Sequence, residues 1–386
     1  MQLSDHHISA CKPATRGLEE AHKQSTRATA IPREFGDAYD TINLTDWRTV
    51  EETTRANKMA VYQQAMCATD YLRSKVHYRP VVGIISGSGL DSITDLVENP
   101  RMVRYNDIPG FPDSEVNGNE GKFIFGEIGG KHVVVVQRRL RTYEGNDYSV
   151  MSTPIRVIRL LGAKYLFVTT TAGGLNPQFK VGDLVVVKDH VDFSSLVGHN
   201  PLTGPHDPRF GDRFPALLGT YDRLLRDLAA KSMRELRLQA EMLEGVYFHI
   251  AGPAYETPAT ARMLQLLGCD VMGMSLTQEV LVAKHQNMKV FALCLITNKV
   301  TTDSSSIDNH NHATELQVAK TKAPLVGRLI ERIILNTSTN VKRSLSGRTS
   351  ASGACEKKEG VEDVVCSSSH ATTVSFYNAA IEGVKG

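Results

Sequence analysis

The sequence is poor in features that would tie the protein to a membrane. Its longest unbroken apolar run, Val290–Ile296, has seven residues, whereas a helix that spans a bilayer needs about 20. The first thirty residues contain no apolar segment of the kind that forms the centre of a secretory signal. These absences predict no membrane partner and a cytoplasmic location.

An excess of charge of one sign is also missing. The 44 lysine and arginine residues nearly balance the 42 aspartate and glutamate residues, which leaves a net charge of +2. Proteins that bind nucleic acid through its phosphate backbone need a clear excess of basic residues. The composition therefore predicts no nucleic-acid partner, and a charged ligand must be bound by a local cluster.

Cysteine and histidine form no strong metal-binding pattern. The six cysteines include no Cys-x-x-Cys pair, and Cys269 and Cys294 lie in apolar runs, which favours buried free thiols over disulfides. His310 and His312 alternate, but two histidines without a third ligand are a weak signal for zinc. We therefore predict no metal site.

The sequence does contain enough apolar residues to form a core, because 41% of its residues are hydrophobic and 22% are charged. The strand-like runs are Val81–Ser86, a hairpin over Lys122–Gln137 that turns at Gly129 and Gly130, Tyr165–Thr169, Leu184–Lys188, Val246–Ala251, Cys269–Met274 and Lys289–Thr297. The segments with helical periodicity are Met59–Val76, Met151–Leu161, Pro215–Ala240, Pro258–Leu267, Leu276–Asn287 and His312–Leu335. This alternation predicts an α/β fold, a single large domain with a central mixed β-sheet flanked by helices.

The composition changes near both ends of the chain. Residues 1–55 are polar and lack a sustained period, and residues 337–386 contain fourteen serine or threonine residues. Such composition is typical of flexible segments. We predict a polar N-terminal extension over residues 1–55, a globular domain over 56–336 and a flexible Ser/Thr-rich tail over 337–386.

Three polar segments have the residue types that bind anions. The small residues of Gly87–Asp91 follow a predicted strand, where backbone N–H groups can approach an anion, although the dinucleotide and Walker patterns are both incomplete. Ser275 has Gln278 at the spacing of a capping box, so it either caps a helix or binds an anion there. The arginines of Arg138–Arg141 follow another strand and form either a phosphate-binding cluster or an exposed basic turn.

Two further side chains suit a planar heterocycle. Glu256 lies between a strand and a helix that Thr257 and Pro258 would start, so its carboxylate either meets a ligand or offsets the helix dipole. Asn298 follows a long apolar strand, and its amide can both donate and accept hydrogen bonds. Both residues are candidates for recognition of a ring with polar edges.

The strongest signal is the order of eight segments along the chain. They are Gly87–Leu90, Arg139 with Tyr143–Gly145, Thr171–Pro177, Asn200–Pro205, Arg209–Pro215, Ala251–Thr257, Gly273–Ser275 and Thr297–Val300. Together these segments resemble the trimeric purine nucleoside phosphorylases over about residues 78–335. The resemblance implies a nucleoside phosphorylase-like fold and a homotrimer.

The resemblance also implies an activity and a set of site residues. Inosine, guanosine and their 2′-deoxy forms would react with phosphate, a co-substrate, to give free base and (deoxy)ribose 1-phosphate in purine salvage without a cofactor. The implied catalytic residues are Asn298, Glu256 and His312, and the phosphate-binding residues are Ser88, Arg139, Arg141, Thr171 and Ser275. The implied nucleoside-binding residues are Tyr143, Tyr255, Glu256, Met274, Asn298, Val300 and His312.

The chain departs from the usual family pattern at several positions. Asn119 stands where a histidine is common, Arg138 and Arg141 flank Arg139 in an altered phosphate loop, and Leu196 stands where a neighbouring subunit often lends a phenylalanine. Two alternatives therefore stay open. One is a methylthioadenosine phosphorylase, which the sequence Lys299-Val300 disfavours, and the other is a nucleoside-binding homologue with little catalysis.

Overall fold

The computed structural model describes residues 47–112, 121–238, 242–305 and 311–346, with side chains from residue 61 to residue 337 within these ranges. The described helices are α1 (Trp47–Lys75), α2 (Tyr148–Met151), α3 (Thr153–Leu160), α4 (Phe193–Leu196), α5 (Arg223–Glu235), α6 (Pro258–Leu266), α7 (Thr277–His285) and α8 (His312–Ser346). The described strands are β1 (Val82–Ile85), β2 (Glu98–Arg104), β3 (Lys122–Ile128), β4 (Lys131–Gln137), β5 (Tyr165–Gly174), β6 (Leu184–Asp192), β7 (Met242–His249), β8 (Val271–Gly273) and β9 (Lys289–Lys299).

The strands form one mixed sheet in the order β2-β3-β4-β1-β5-β8-β7-β6-β9. Strand β9 also pairs with β5, so β5, β8, β7, β6 and β9 close into a ring. The pairs β1–β4, β1–β5, β5–β9, β6–β7 and β7–β8 are parallel, whereas β2–β3, β3–β4, β5–β8 and β6–β9 are antiparallel. The predicted mixed α/β sheet is confirmed.

Helices cover both faces of the sheet because successive strand residues point to opposite sides. In β4, Val134 and Val136 join a core cluster with residues of α1, α3 and α7. Val133 and Val135 join a second cluster, which contains residues of α5 and α8. The continuous valine run of β4 thus packs against helices on either side, as expected of a buried strand in an α/β domain.

Several predicted boundaries differ from the structure for local reasons. The helix predicted from Pro215 begins only at Arg223, because Asp222 accepts a hydrogen bond from the backbone N–H of Leu225 and caps the first turn. Strand β8 is shorter than predicted, whereas β5 and β9 continue further. The hairpin predicted over Lys122–Gln137 is confirmed as β3 and β4.

The two end helices pass the predicted domain boundaries. Helix α1 begins at Trp47, within the predicted extension, and α8 continues past residue 336 to Ser346. Asn336 is buried and donates a hydrogen bond from Nδ2 to Ser232 Oγ at 3.0 Å, so this part of α8 packs on α5. The chain divides after Asn340 into a large unit, which holds the sheet, and a second unit.

Two of the cysteines that the structure describes lie in the core and form no disulfide. Cys269 and Cys294 are buried and unpaired, as predicted, and burial raises the pKa of Cys269 to about 11. Burial also raises the pKa of Cys294 well above its ordinary value. Among the described helices, none combines the length and apolar character that a membrane span requires.

Acidification is expected to destabilise the fold through its buried histidines. Burial lowers the pKa of His190 and His249 from the ordinary value of 6.5, so both imidazoles stay neutral in the folded chain. Below about pH 6.5 the unfolded chain binds more protons than the folded chain, so the free energy of unfolding decreases as the pH is lowered. We expect Tm to fall between about pH 7 and pH 5.5, and to fall less in His249→Gln. A Tm that is constant or rises over this interval would contradict the expectation.

Candidate active site

A cavity of about 110 Å³ opens where the carboxyl ends of the parallel strands β4, β1, β5 and β9 meet. This edge is where α/β sheets collect ligands. The predicted residues that line it are Ser88, Arg139, Arg141, Tyr143, Thr171, Tyr255, Glu256, Met274, Ser275, Asn298 and His312. Segments far apart in the sequence therefore converge on one cavity.

The Gly-Ser-Gly turn reaches the cavity because β1 and β5 approach each other closely. A Cβ on Gly87 would lie 2.8 Å from Thr169 O and from Thr170 Cα, both backbone atoms that cannot move aside. The Gly87 N–H donates a hydrogen bond to Thr169 Oγ1 at 3.1 Å. Glycine is therefore required at position 87, and the turn carries Ser88 into the cavity wall.

Arg139 is a buried arginine held on three sides. Its Nη2 donates to Thr169 O at 2.7 Å, its Nη1 donates to Ser275 Oγ at 3.0 Å, and its Nε lies 2.9 Å from Glu279 Oε1. The side chain is only 4% exposed. Burial lowers the pKa of Arg139, and the Glu279 carboxylate opposes that shift. The result is a positive charge fixed at the floor of the cavity.

Arg141 completes the cationic wall. Its Nη2 donates to Ser88 Oγ at 2.6 Å, and its Nη1 donates to the Tyr143 hydroxyl. Arg138 has a positive φ of 74° and lies 3.5 Å from Glu144 Oε1 through its Nη2. Arg141 thus lines the small cavity, whereas Arg138 does not.

Ser275 lies in the cavity because of an unusual turn before α7. The capping interpretation of Ser275 is wrong: α7 begins at Thr277, after Leu276 with φ 82° and ψ −53°. The Thr277 N–H donates to Ser275 O at 3.1 Å, which makes a γ-turn of the strained kind, at a cost of about 1–3 kcal/mol. The turn leaves Ser275 Oγ to bond Arg139 and, at 2.9 Å, Thr170 Oγ1.

A β-bulge immediately precedes Asn298, which also lines the cavity. Ala172 pairs with Ile296 but Gly173 pairs with Asn298, so Thr297 is an extra residue in β9. Thr297 Oγ1 donates to Asn298 Oδ1 at 3.3 Å. Among the described residues none accepts a hydrogen bond from Asn298 Nδ2, so this amide N–H group is available to a ligand.

Val300 lies one layer behind the cavity. A Cβ on Gly173 would lie 2.7 Å from Val300 Cγ2 and 3.2 Å from Asn298 Nδ2. Val300 is 8% exposed, packs in a small apolar cluster and does not line the cavity. The structure therefore places Val300 where it supports the backbone around Gly173.

Three further residues line the cavity: Tyr255 and His312, which the sequence analysis predicted, and Glu315, which it did not. The Tyr255 hydroxyl donates to Glu315 Oε2 at 3.1 Å, and His312 Nδ1 lies 3.6 Å from the same oxygen. Burial and the Glu315 carboxylate raise the pKa of Tyr255 to about 12. Glu315 follows His312 by three residues on α8, a spacing that places both on one helix face. The three-residue spacing from His312 was the signal in the sequence that could have identified Glu315.

Glu256 borders the cavity at the start of α6. Thr257 Oγ1 accepts a hydrogen bond from the Thr260 N–H at 3.2 Å, which confirms the predicted N-cap. This cap fixes the backbone immediately after Glu256, whose side chain is half-buried in the cavity wall. Thr170 and Glu279 were also missed by the sequence interpretation, because nothing in their local pattern distinguishes them from buried sheet and helix residues.

Some predicted features lie elsewhere. Leu196 is 74% exposed on α4 and does not line the cavity. Asn119 and His310 lie outside the described residues. Within the described part of the chain, no group of three or more histidine, cysteine, aspartate or glutamate side chains is arranged to hold a metal ion.

Comparison with known proteins identifies the family. The sequence profile of the phosphorylase superfamily matches residues 81–335. Rat purine nucleoside phosphorylase is 42% identical over 262 residues, which cover 68% of this chain and 91% of the rat protein. The Anopheles gambiae purine nucleoside phosphorylase is 34% identical over 338 residues, which cover 86% of this chain and 95% of that protein.

Solved structures agree with the sequence comparison. Schistosoma mansoni purine nucleoside phosphorylase in complex with inosine has a TM-score of 0.69 and 40% identity, and the match covers 71% of this chain and 96% of that chain. The same protein in complex with adenosine gives the same values. The site geometry, the sequence profile and these relatives lead to one conclusion: this chain belongs to the purine nucleoside phosphorylases of the phosphorylase superfamily.

Proposed function

We propose that this protein is a purine-nucleoside phosphorylase, a pentosyltransferase that uses inosine, guanosine and their 2′-deoxy forms. The observation that carries the proposal is one cavity lined by two chemically different sets of side chains. Arg139 with Ser275 and Arg141 with Ser88 form a hydrogen-bonded cationic set, and Asn298 and Glu256 form the other set. The first set suits phosphate, the second suits a purine, and the sugar would lie between them.

The chemistry follows from this arrangement. Departure of the purine develops positive charge on the sugar and negative charge on the base. A phosphate held by Arg139 and Arg141 would stabilise the first charge, and the Asn298 amide N–H would stabilise the second. Such contacts bind the transition state more strongly than the ground state, which is what lowers the barrier.

The remaining residues would orient the nucleoside. Glu256 would bond the pyrimidine edge of the base, Tyr255 would flank the ring, and Met274 would lie under the sugar. His312 would bond the 5′-hydroxyl, with Glu315 3.6 Å away to fix its ring. The family resemblance gives these roles, and no metal or organic cofactor enters the reaction; phosphate is the co-substrate.

A substrate panel tests the proposal against its alternatives. We expect inosine and guanosine to yield hypoxanthine and guanine only in the presence of phosphate. Adenosine and methylthioadenosine belong in the panel because a related Schistosoma protein has been solved with adenosine. Turnover of either one about tenfold faster than inosine would contradict the 6-oxopurine preference. Tight inosine binding without turnover would favour a binding protein.

We also propose that the protein is a homotrimer. Large apolar side chains are exposed on this chain, and they include Leu196, Phe214, Leu218 and Leu266. Such residues are often buried in subunit interfaces. Sedimentation equilibrium is expected to give about three times the chain mass of 42.4 kDa. A fully active monomer at micromolar concentration would contradict this expectation.

A further inference from the structure

A second cavity, of about 200 Å³, shares no lining residue with the candidate active site. Its wall combines α3, the end of α7 and the loop that follows α4. The ionisable side chains in that wall are Arg156, His206, Asp207, Arg213 and His285. Arg213 belongs to one of the eight ordered segments, and His206 and Asp207 lie between two of them, but the proposed reaction does not use these residues.

Arg156 is buried in this cavity without a bonded counter-ion. It is 9% exposed, its Nε atom has no hydrogen-bond partner, and its guanidinium carbon lies 4.5 Å above the Phe210 ring. Burial lowers the pKa of Arg156 to about 10. A buried arginine is normally paired with an acid or with hydrogen-bond acceptors. The Arg156 side chain instead lines the cavity.

The carboxylate that acts on Arg156, that of Asp207, is already hydrogen-bonded to Arg209. Asp207 Oδ1 and Oδ2 accept hydrogen bonds from Arg209 Nε at 2.9 and 3.1 Å, and Oδ1 also accepts from the Arg209 N–H at 3.0 Å. The guanidinium carbon of Arg209 in turn lies 3.5 Å above the centre of the Tyr62 ring. The carboxylate therefore acts on Arg156 only through space.

A second buried nitrogen atom lies in the same wall. His285 is 6% exposed, and its Nδ1 atom has no hydrogen-bond partner. Burial, Arg156 and His206 lower the pKa of His285, whereas a hydrogen bond with the Asp212 backbone raises it. The rings of His206 and His285 lie 5.7 Å apart, and Arg213 holds the loop in place by donating to Leu202 O and Gly204 O. The cavity thus combines the buried Arg156 guanidinium with a His285 nitrogen atom that has no partner.

We propose that this cavity is a second anion site, which binds a small tetrahedral oxyanion such as inorganic phosphate between Arg156 and His285. Bound there, the anion neutralises the buried Arg156 guanidinium and accepts hydrogen bonds from it, and a protonated phosphate oxygen can donate to His285 Nδ1. Because it contacts α3, the end of α7 and the loop after α4 together, the anion also ties these three elements to one another.

Equilibrium dialysis with radiolabelled inorganic phosphate tests the proposal on the full chain. The wild type is expected to bind one more equivalent per chain than Arg156→Met, whatever the candidate active site binds. Arg223→Met, which removes an exposed arginine on α5, is the matched control and should bind as the wild type does. Equal binding by the wild type and Arg156→Met would overturn the proposal.

A second variant covers the case in which Arg156→Met does not fold. His206→Asp places a carboxylate in the wall of the cavity without altering a fully buried side chain. It is expected to lose the same equivalent of phosphate, and phosphate should raise its Tm less than that of the wild type. Unchanged phosphate binding by His206→Asp would overturn the proposal even if Arg156→Met could not be purified.

Discussion

Replacement of Asn298 with alanine is expected to lower kcat/KM for inosine by about a hundred- to a thousandfold. The side-chain amide lies at the end of β9, where a bulge at Thr297 turns it into the cavity. Its Nδ2 group is the donor that would stabilise negative charge on the departing purine. Loss of one such preorganised donor removes an interaction that is strongest in the transition state. Steady-state rates at saturating phosphate measure the effect.

Two further variants make the test specific. Asn298→Asp keeps the shape but replaces the N–H donor with a negative charge, so it should lose at least as much activity as Asn298→Ala. Thr301→Ala removes a polar side chain beyond the same strand end, outside the cavity, and should stay within about twofold of the wild type. If Asn298→Ala kept more than about a tenth of the wild-type kcat/KM, the role given to Asn298 would be wrong.

The second large effect is expected from Arg141→Ala. Arg141 bonds Ser88 and Tyr143 in the wall of the cavity. A charge-assisted hydrogen bond to phosphate is worth about 1.5–3 kcal/mol, which corresponds to a roughly 10- to 150-fold rise in the KM for phosphate. The KM for inosine should change much less, because Asn298 and Glu256 are unaltered.

An exposed arginine provides the comparison for Arg141. Arg79 is exposed on the described surface and lies outside the cavity. Arg79→Ala should leave both Michaelis constants within about twofold of the wild type. If Arg141→Ala behaved in the same way, Arg141 would not contact phosphate. The altered phosphate loop would then rely on Arg139 and the two serines alone.

The family resemblance predicted which residues share the site, and the positions of these residues after strands explain why they converge. Ser88, Arg139 and Asn298 each follow an apolar run of strand length. The strands β1, β4, β5 and β9 are parallel, and parallel strands present their carboxyl ends at one edge of a sheet. The fold class followed from the same alternation of strands and helices.

Features that depend on tertiary contacts escaped the sequence interpretation. The strained turn at Leu276 is one of them: it decides between the two roles open to Ser275 and leaves Ser275 in the cavity wall, and no propensity predicts a positive φ at a leucine. Val300 was expected to contact the nucleoside, but the close approach of Gly173 places it behind the cavity wall. Glu279 is an ordinary helix residue until Arg139 is brought within 2.9 Å of its carboxylate.

Phosphate, and not water, is expected to cleave the glycosidic bond in the cavity of Arg139 and Asn298. Phosphorus NMR of the purified chain with inosine and inorganic phosphate distinguishes the two nucleophiles. Phosphate should be converted to ribose 1-phosphate in an amount equal to the hypoxanthine released, and no hypoxanthine should appear without phosphate. Release of hypoxanthine with free ribose, while the phosphate signal stays unchanged, would contradict it.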